Sequence, residues 1–286
     1  MYFIFKILEF IFKNIPRKAG YFIFERLALV LFLFSRVKKH VLKKNLGYVL
    51  GTSEIPDKTL KEVYKNYGRY YFDLFCKKEA LLKAIPDHGI FTSTFNRFNE
   101  LLEKGHGLVA LSVHIGNWDF AGSFLASLFP GRTNVVVETL SFGAFRWFKE
   151  TRERFGMKVI EAKDIKAMLG VLKRNEILVL LTDRDLDKNG LTLDFFSNKA
   201  YIPVGPAKLA LTHKSPVVFG SVIRQTDPLL FMPVISTENI LNLDMLEKSQ
   251  ENTERLSKEI VAEMEKIISA CPEQWCMLQK VWLNYD

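Results

Sequence analysis

Three kinds of apolar pattern follow one another along the chain. Over residues 1–34 apolar side chains dominate, but they never run on for the ~18 positions that a confident membrane span requires. Lys6, Glu9 and Lys13 interrupt them first, then Pro16, Arg17 and Lys18, then Glu25 and Arg26. That spacing predicts helices lying in a membrane surface, with Phe3, Ile4, Ile7, Phe10 and Ile11 toward the lipid and the lysines reaching headgroups. A buried hydrophobic hairpin or a single tilted span would use the same residues. A signal peptide is disfavoured, because the basic cluster follows the apolar stretch and no small-residue cleavage site is evident.

The second pattern is helical. Leu60, Val63, Tyr64, Tyr67, Tyr71, Leu74 and Phe75 recur near helical spacing and predict one helix over residues 57–83. From Gly89 onward the pattern changes again, to short apolar runs alternating with amphipathic stretches. Strands are predicted at 90–95, 108–113, 134–137, 158–160, 177–182, 191–196 and 217–223. Helices fall between them: 96–104, one opened by Gly205 and Pro206 and running through Ala210, and a charged amphipathic one at 251–268 that reads as a solvated cover. The alternation argues for an α/β protein whose central sheet is mixed, mostly parallel and flanked by helices. No linker or repeat divides the 286 residues, so one domain over 51–286 with an N-terminal hydrophobic and basic extension over 1–50 is the simplest organisation.

Composition narrows the partners only slightly. A net charge of +8 suits nucleic acid, an anionic membrane or an acidic carrier protein equally well. Its clearest local source is Arg36, Lys38, Lys39, Lys43 and Lys44, grouped around His40 with no acid among them. Near a membrane each such cation is worth about 1 kcal/mol of attraction to anionic lipid; elsewhere the run would be an ordinary solvated helix face. Its place beside Phe34 favours the membrane, and its charge favours the cytoplasmic side. Cys76, Cys271 and Cys276 are scattered, and His40, His88, His106 and His213 form no zinc signature, so neither a disulfide framework nor a metal site is expected. Phosphate-binding Gly-Lys-Ser/Thr loops, dinucleotide Gly fingerprints and Gly-x-Ser-x-Gly elbows are absent, as is any nucleic-acid-binding motif. No cofactor is expected.

Candidate chemistry concentrates at one junction. The apolar run 109–113 leads into His114, after which Gly116 permits a turn, Asn117 suits a helix N-cap and Asp119 lies in the first helical turn. His114 therefore sits at the carboxyl end of a buried strand, where α/β sheets place their ligands. On one continuous helix, His114 and Asp119 would point apart. With the chain turning at Gly116, the Asp119 carboxylate can hold one imidazole nitrogen and leave the other free to take a proton from a hydroxyl. A satisfied core histidine with Asp119 merely complementing a helix N-terminus is the plainer reading. Asp183, followed by Arg184 and Asp185, ends the run 177–182 at the same edge and competes with Asp119 for the histidine.

The segment His114-Ile-Gly-Asn-Trp-Asp119 resembles the signature of the bacterial lipid A biosynthesis acyltransferase superfamily. Leu181-Thr-Asp-Arg-Asp-Leu186, Ile202-Pro-Val-Gly-Pro-Ala207 and Trp275-Cys-Met-Leu-Gln279 look like the phosphatidylinositol mannoside acyltransferase branch, and the likeness runs from about Arg36 to Trp282. An Arg pair common near the end of lipid A transferases is absent, which favours another glycolipid. The resemblance implies a glycerolipid acyltransferase-like fold with N-terminal membrane-associated helices. It also implies an acyltransferase moving a long fatty acyl group from acyl-CoA or acyl carrier protein to a hydroxyl of a membrane glycolipid or lysophospholipid. Such an enzyme would work on the cytoplasmic face of the inner membrane, as a monotopic or single-pass protein, without an acyl-enzyme intermediate. By the same resemblance Glu138 and Arg152 line the active site, and Asp183 takes the carboxylate role from Asp119 in the mannoside branch. Backbone amides near Gly116 and Asn117, together with Arg152, are candidates for stabilising an oxyanion. Arg154, one turn from exchanging with Arg152, and Arg184 are candidate substrate contacts. A non-catalytic lipid-binding membrane protein that kept the fold is the alternative.

Overall fold

In a computed structural model of the protein, residues 1–138, 142–185, 189–241, 243 and 246–285 are described. Leu186 of the second resemblance block lies outside them. The chain opens with six helices: α1 (Tyr2–Phe12), α2 (Arg17–Phe34), α3 (Arg36–Leu50), α4 (Asp57–Asp73), α5 (Lys78–Leu82) and α6 (Gly89–Leu102). There follow β1 (Leu108–Ser112), α7 (Trp118–Leu128), β2 (Thr133–Val137), α8 (Phe142–Arg154), β3 (Lys158–Glu161), α9 (Ile165–Lys173) and β4 (Ile177–Leu181). A hairpin of β5 (Leu191–Phe195) and β6 (Asn198–Ile202) leads to α10 (Gly205–His213), β7 (Val217–Arg224), β8 (Phe231–Leu241) and α11 (Gln250–Ala270).

The main sheet has the order β3-β2-β4-β1-β7-β8. All its pairings are parallel except β7 with β8. β1 sits between β4 and β7, with Ala110 opposite both Val179 and Val218. All five β1 residues are buried, as a strand covered on both faces requires. Side chains alternate across the sheet: Val109 and Leu111 join Leu172 of α9 and Leu211 of α10 in one core, while Leu108 and Ala110 join Phe98 of α6 and Leu125 of α7 in another. The fold is thus α/β, with a mostly parallel sheet between helical layers.

Several predicted elements change. The run 90–95 is helical, part of α6, rather than a strand. Its β-branched and aromatic composition is overridden because Thr94, Phe98, Leu101 and Leu102 share one buried helical face. Two strands, β6 and β8, were not expected. β8 is the sheet's edge, where Pro233 costs no internal ladder bond. The charged helix α11 is more than a cover, since Leu256, Ile260, Met264 and Ile268 bury a stripe at four-residue spacing.

The N-terminal helices are apolar on two sides. α1 stacks Phe5 on Trp147 of α8 at 4.6 Å between ring centres, while Phe3, Ile4, Ile7, Phe10 and Ile11 face outward. α2 lies against α4, with the Gly68 backbone directly under Phe24 and Ala28. Its outer face, including Phe22, Leu27, Leu31 and Phe34, is exposed. Among the described residues no helix is long and apolar enough to cross a membrane.

Candidate active site

β1, β2, β4 and β7 run in the same direction, and their carboxyl ends deliver His114, Glu138, Asp183 and Arg224 to one rim of the sheet. His114 follows β1 in a three-residue turn closed by Ile115 N–H donating to the Val113 carbonyl at 2.7 Å. The C-terminal segment then clamps this turn from the side. The Cys276 amide donates to the His114 carbonyl at 2.8 Å, and the Gly116 amide donates to the Gln274 carbonyl at 3.1 Å. Gly116 has φ +60°, and a Cβ placed there would stand 2.2 Å from the Val222 carbonyl oxygen. Gly116→Ala is therefore expected to destabilise the protein by more than ~1 kcal/mol, through both backbone strain and the clash. A lowered thermal midpoint is the outcome to look for.

Asp183, rather than Asp119, meets the histidine. Its Oδ1 lies 2.7 Å from His114 Nδ1, and its Oδ2 accepts from the His114 amide at 2.8 Å and from Trp275 Nε1 at 2.8 Å. The Asp183 side chain is fully buried, whereas that of His114 is 23% exposed. Burial pushes the Asp183 carboxyl up, but the His114 charge and the hydrogen bonds from His114 and Trp275 outweigh it and hold it below the usual carboxylate range. An ionised Asp183 fixes the proton on Nδ1, which leaves Nε2 as the acceptor. Nε2 has no protein partner among the described residues.

Asp119 is engaged elsewhere. Arg152 binds it through Nε at 2.6 Å and Nη2 at 3.2 Å, and the Tyr70 hydroxyl donates to its Oδ2 at 2.6 Å. Burial and then the Asp119 charge push the Tyr70 phenol well above its ordinary value, so it remains a donor. Asp119 and Arg152 thus form a buried pair that pins α7 to α8. Trp118 joins the two clusters: it stacks on Tyr70 at 3.8 Å and meets the His114 ring edge-on at 5.3 Å.

The other expected contacts divide. Arg184 pairs with Glu138 and also donates to Gln279, so these residues from three segments meet at the rim. Arg154 turns away to Glu9 of α1 and the Leu74 carbonyl. The expected oxyanion donors are also occupied, since the Gly116 amide binds Gln274 and the Asn117 amide donates to the Val222 carbonyl at 2.9 Å. Asn117 is the N-cap of α7, its Oδ1 accepting from the Phe120 amide at 3.0 Å. Among the described residues no group of three His, Cys, Asp or Glu side chains is arranged to hold a metal.

A second buried network, which sequence reasoning missed, lies behind the turn. Asp73, fully buried, accepts from Arg224 Nη2 at 2.7 Å, Tyr21 OH at 2.8 Å and Asn117 Nδ2 at 2.9 Å. Gln274 locks onto the Arg224 backbone with two bonds of 2.8 Å. The helix cap next to His114 is thereby tied to α2, α4 and β7. Asp73 lies within the helix predicted over 57–83 and Arg224 one residue past the strand predicted over 217–223; the signal for either is only that a charge adjoins a buried element.

Below the rim, a narrow cavity of about 40 Å³ runs between the sheet and helices α6 and α7. Ser112, Leu181 and Trp118 lie among its walls, with Gly122, Leu125 and Phe98. Its lining is predominantly apolar and shares Trp118 with the His114 site. Burial pushes the nearby Cys276 thiol up to about 12, so it is not a thiolate at neutral pH.

Known proteins resemble part of the chain. It is 30% identical to a phosphatidylinositol mannoside acyltransferase of Mycolicibacterium smegmatis over 182 residues, which is 59% of this chain and 58% of that protein. It is 31% identical to one of Mycobacterium tuberculosis (strain CDC 1551 / Oshkosh) over 180 residues, 59% of this chain and 56% of that protein. The match therefore spans less than two thirds of the length of these relatives. The family model for bacterial lipid A biosynthesis acyltransferase, by contrast, matches residues 1–284, nearly the whole chain, and the protein belongs to that family.

Proposed function

We propose that the protein is an O-acyltransferase that moves a long-chain fatty acyl group from a thioester, acyl-CoA or acyl carrier protein, to a hydroxyl of a membrane glycolipid or lysophospholipid. The observation that carries this reading is the partly exposed His114 ring, held at Nδ1 by a buried Asp183 and packed edge-on against Trp118, which also lines the apolar cavity. In the reaction Nε2 takes the proton of the acceptor hydroxyl as its oxygen attacks the thioester carbonyl. The tetrahedral intermediate collapses by expelling the thiolate, which recovers that proton from the imidazolium. Asp183 stabilises the imidazolium and keeps its orientation. Attack is direct, without a Ser or Cys nucleophile, in keeping with the protonated state of Cys276. Arg152 acts through Asp119 to hold α7, and Arg184 with Glu138 forms the polar rim that an acceptor headgroup would meet.

The names of the relatives support a mannosylated phosphoinositide among the acceptors. The outward apolar faces of α1 and α2 support monotopic docking on a membrane surface, and the basic run at the start of α3 favours the cytoplasmic side of the inner membrane. Incubation of the purified protein with a labelled acyl thioester and a glycolipid extract tests the reading. A labelled lipid ester is expected, with no label on denatured protein quenched during turnover. A stable labelled protein would overturn direct attack, and the absence of any labelled lipid with either donor would overturn the transferase assignment.

A further inference from the structure

A second cavity does not include His114 among its lining residues. It has a volume of about 440 Å³, within the range of small-molecule sites. His40, Lys43, Lys44 and Gly47 of α3 line it at helical spacing i, i+3, i+4 and i+7. The chain then turns at Gly51 in the left-handed conformation and brings Thr52 and Ser53 into the lining as well. No lining residue is acidic. The walls are anchored from behind: Tyr48 stacks on Trp282 at 4.5 Å, Lys44 donates to the Tyr285 carbonyl, and Asn45 donates to the Met277 and Gln279 carbonyls at 2.8 and 2.9 Å. The end of α3 would repel an anion if its carbonyls were bare. The Gly47 carbonyl is capped by the Gly51 and Thr52 amides, which reduces that penalty.

We propose that this cavity binds the phosphate of an anionic lipid headgroup. Two lysines, an imidazole and two hydroxyls supply the cation and donor set that a phosphodiester requires. The lipid source follows from position. Phe34 and Val37, 81% and 78% exposed, lie one to two turns before His40, so a membrane meeting the outer face of α2 brings its headgroups to the level of this pocket. The assignment rests on the membrane docking proposed above.

Vesicle flotation of the full-length protein tests it. Phosphatidylcholine vesicles are compared with vesicles carrying phosphatidylglycerol, with inorganic phosphate as the soluble probe in a parallel calorimetric titration. The protein is expected to prefer the anionic vesicles, and Lys43→Gln with Lys44→Gln to reduce that binding roughly 10- to 30-fold while leaving binding to neutral vesicles unchanged. Arg36→Gln with Lys38→Gln removes the same charge from the same helix outside the pocket and is expected to cost several-fold less. Because Lys44 also holds the C-terminal segment, Lys43→Gln alone is included and is expected to show an intermediate loss. Equal losses in the two double variants would reduce the effect to general charge attraction and overturn the pocket, while leaving membrane docking intact. Failure of the unaltered protein to bind either vesicle would overturn docking and the headgroup assignment together. Tight binding of inorganic phosphate without a preference for anionic vesicles would assign the cavity to a soluble phosphate instead of a lipid.

Discussion

His114→Ala is expected to lower acyl transfer by ~10²- to 10⁴-fold, the usual contribution of a positioned general base. The loss should appear in kcat, because the ring is proposed to act on the proton that moves in the transition state. The fold should tolerate the change. The imidazole is partly exposed, and Asp183 would keep two of its three donors, the amide of residue 114 and the Trp275 indole. Binding to vesicles should be unchanged, since the outward faces of α1 and α2 do not involve the turn after β1. Transfer assays and flotation on the same preparation separate the two effects. Undiminished transfer would favour a protein that binds lipid without using this histidine for chemistry.

The second large effect contrasts the two carboxylates. Asp183→Asn is expected to lower transfer by ~10²- to 10⁴-fold, because a neutral amide neither stabilises the imidazolium nor holds the Nδ1–H tautomer. An Asn there would also turn one NH2 group toward a donor already in place, either the His114 ring or the amide and indole pair. Asp119→Asn is expected to act mainly on stability. It leaves the largely buried Arg152 short of its counter-charge, a change that typically costs about 3–5 kcal/mol when one member of a buried pair is removed. Thermal unfolding and kcat measured on both variants should therefore rank them in opposite orders. Acid adds a further sign. The Asp183 carboxyl is held below its unfolded value, so its contribution to stability is fully present above about pH 4 and is lost as pH falls through the lower folded value. The Asn variant should lack that part of the acid transition. Equal kinetic defects in the two variants would contradict the assignment of Asp183 as the histidine's partner.

Much of the sheet was legible because β1, β2, β4 and β7 are short, mainly apolar and largely buried runs, and such runs stand out from their polar surroundings. The residues 90–95 misled because composition and periodicity disagreed, and tertiary burial of one helical face decided between them. The junction of strand, glycine turn and capped helix placed His114 at the carboxyl rim of the sheet, where the structure has it. The choice between Asp119 and Asp183 was not legible. It depends on β4 pairing with β1, a contact between segments about 70 positions apart, and on α8 bringing Arg152 to claim Asp119 first. The donors to Asp73 were hidden for the same reason, since Tyr21, Asn117 and Arg224 meet only in three dimensions.

The Asp73 network changes what the first helices are for. Trimming the chain at about residue 34 to obtain a more tractable enzyme would remove the Tyr21 hydroxyl and the neighbouring Arg17, and would open the surface of α4 around Gly68 and Phe72 to water. The shortened protein would lose part of the brace behind the turn that carries His114. The apolar N-terminal segment is in this sense a structural strut, whatever surface its outer face meets, and solubility is better sought by replacing its outward side chains than by cutting it away.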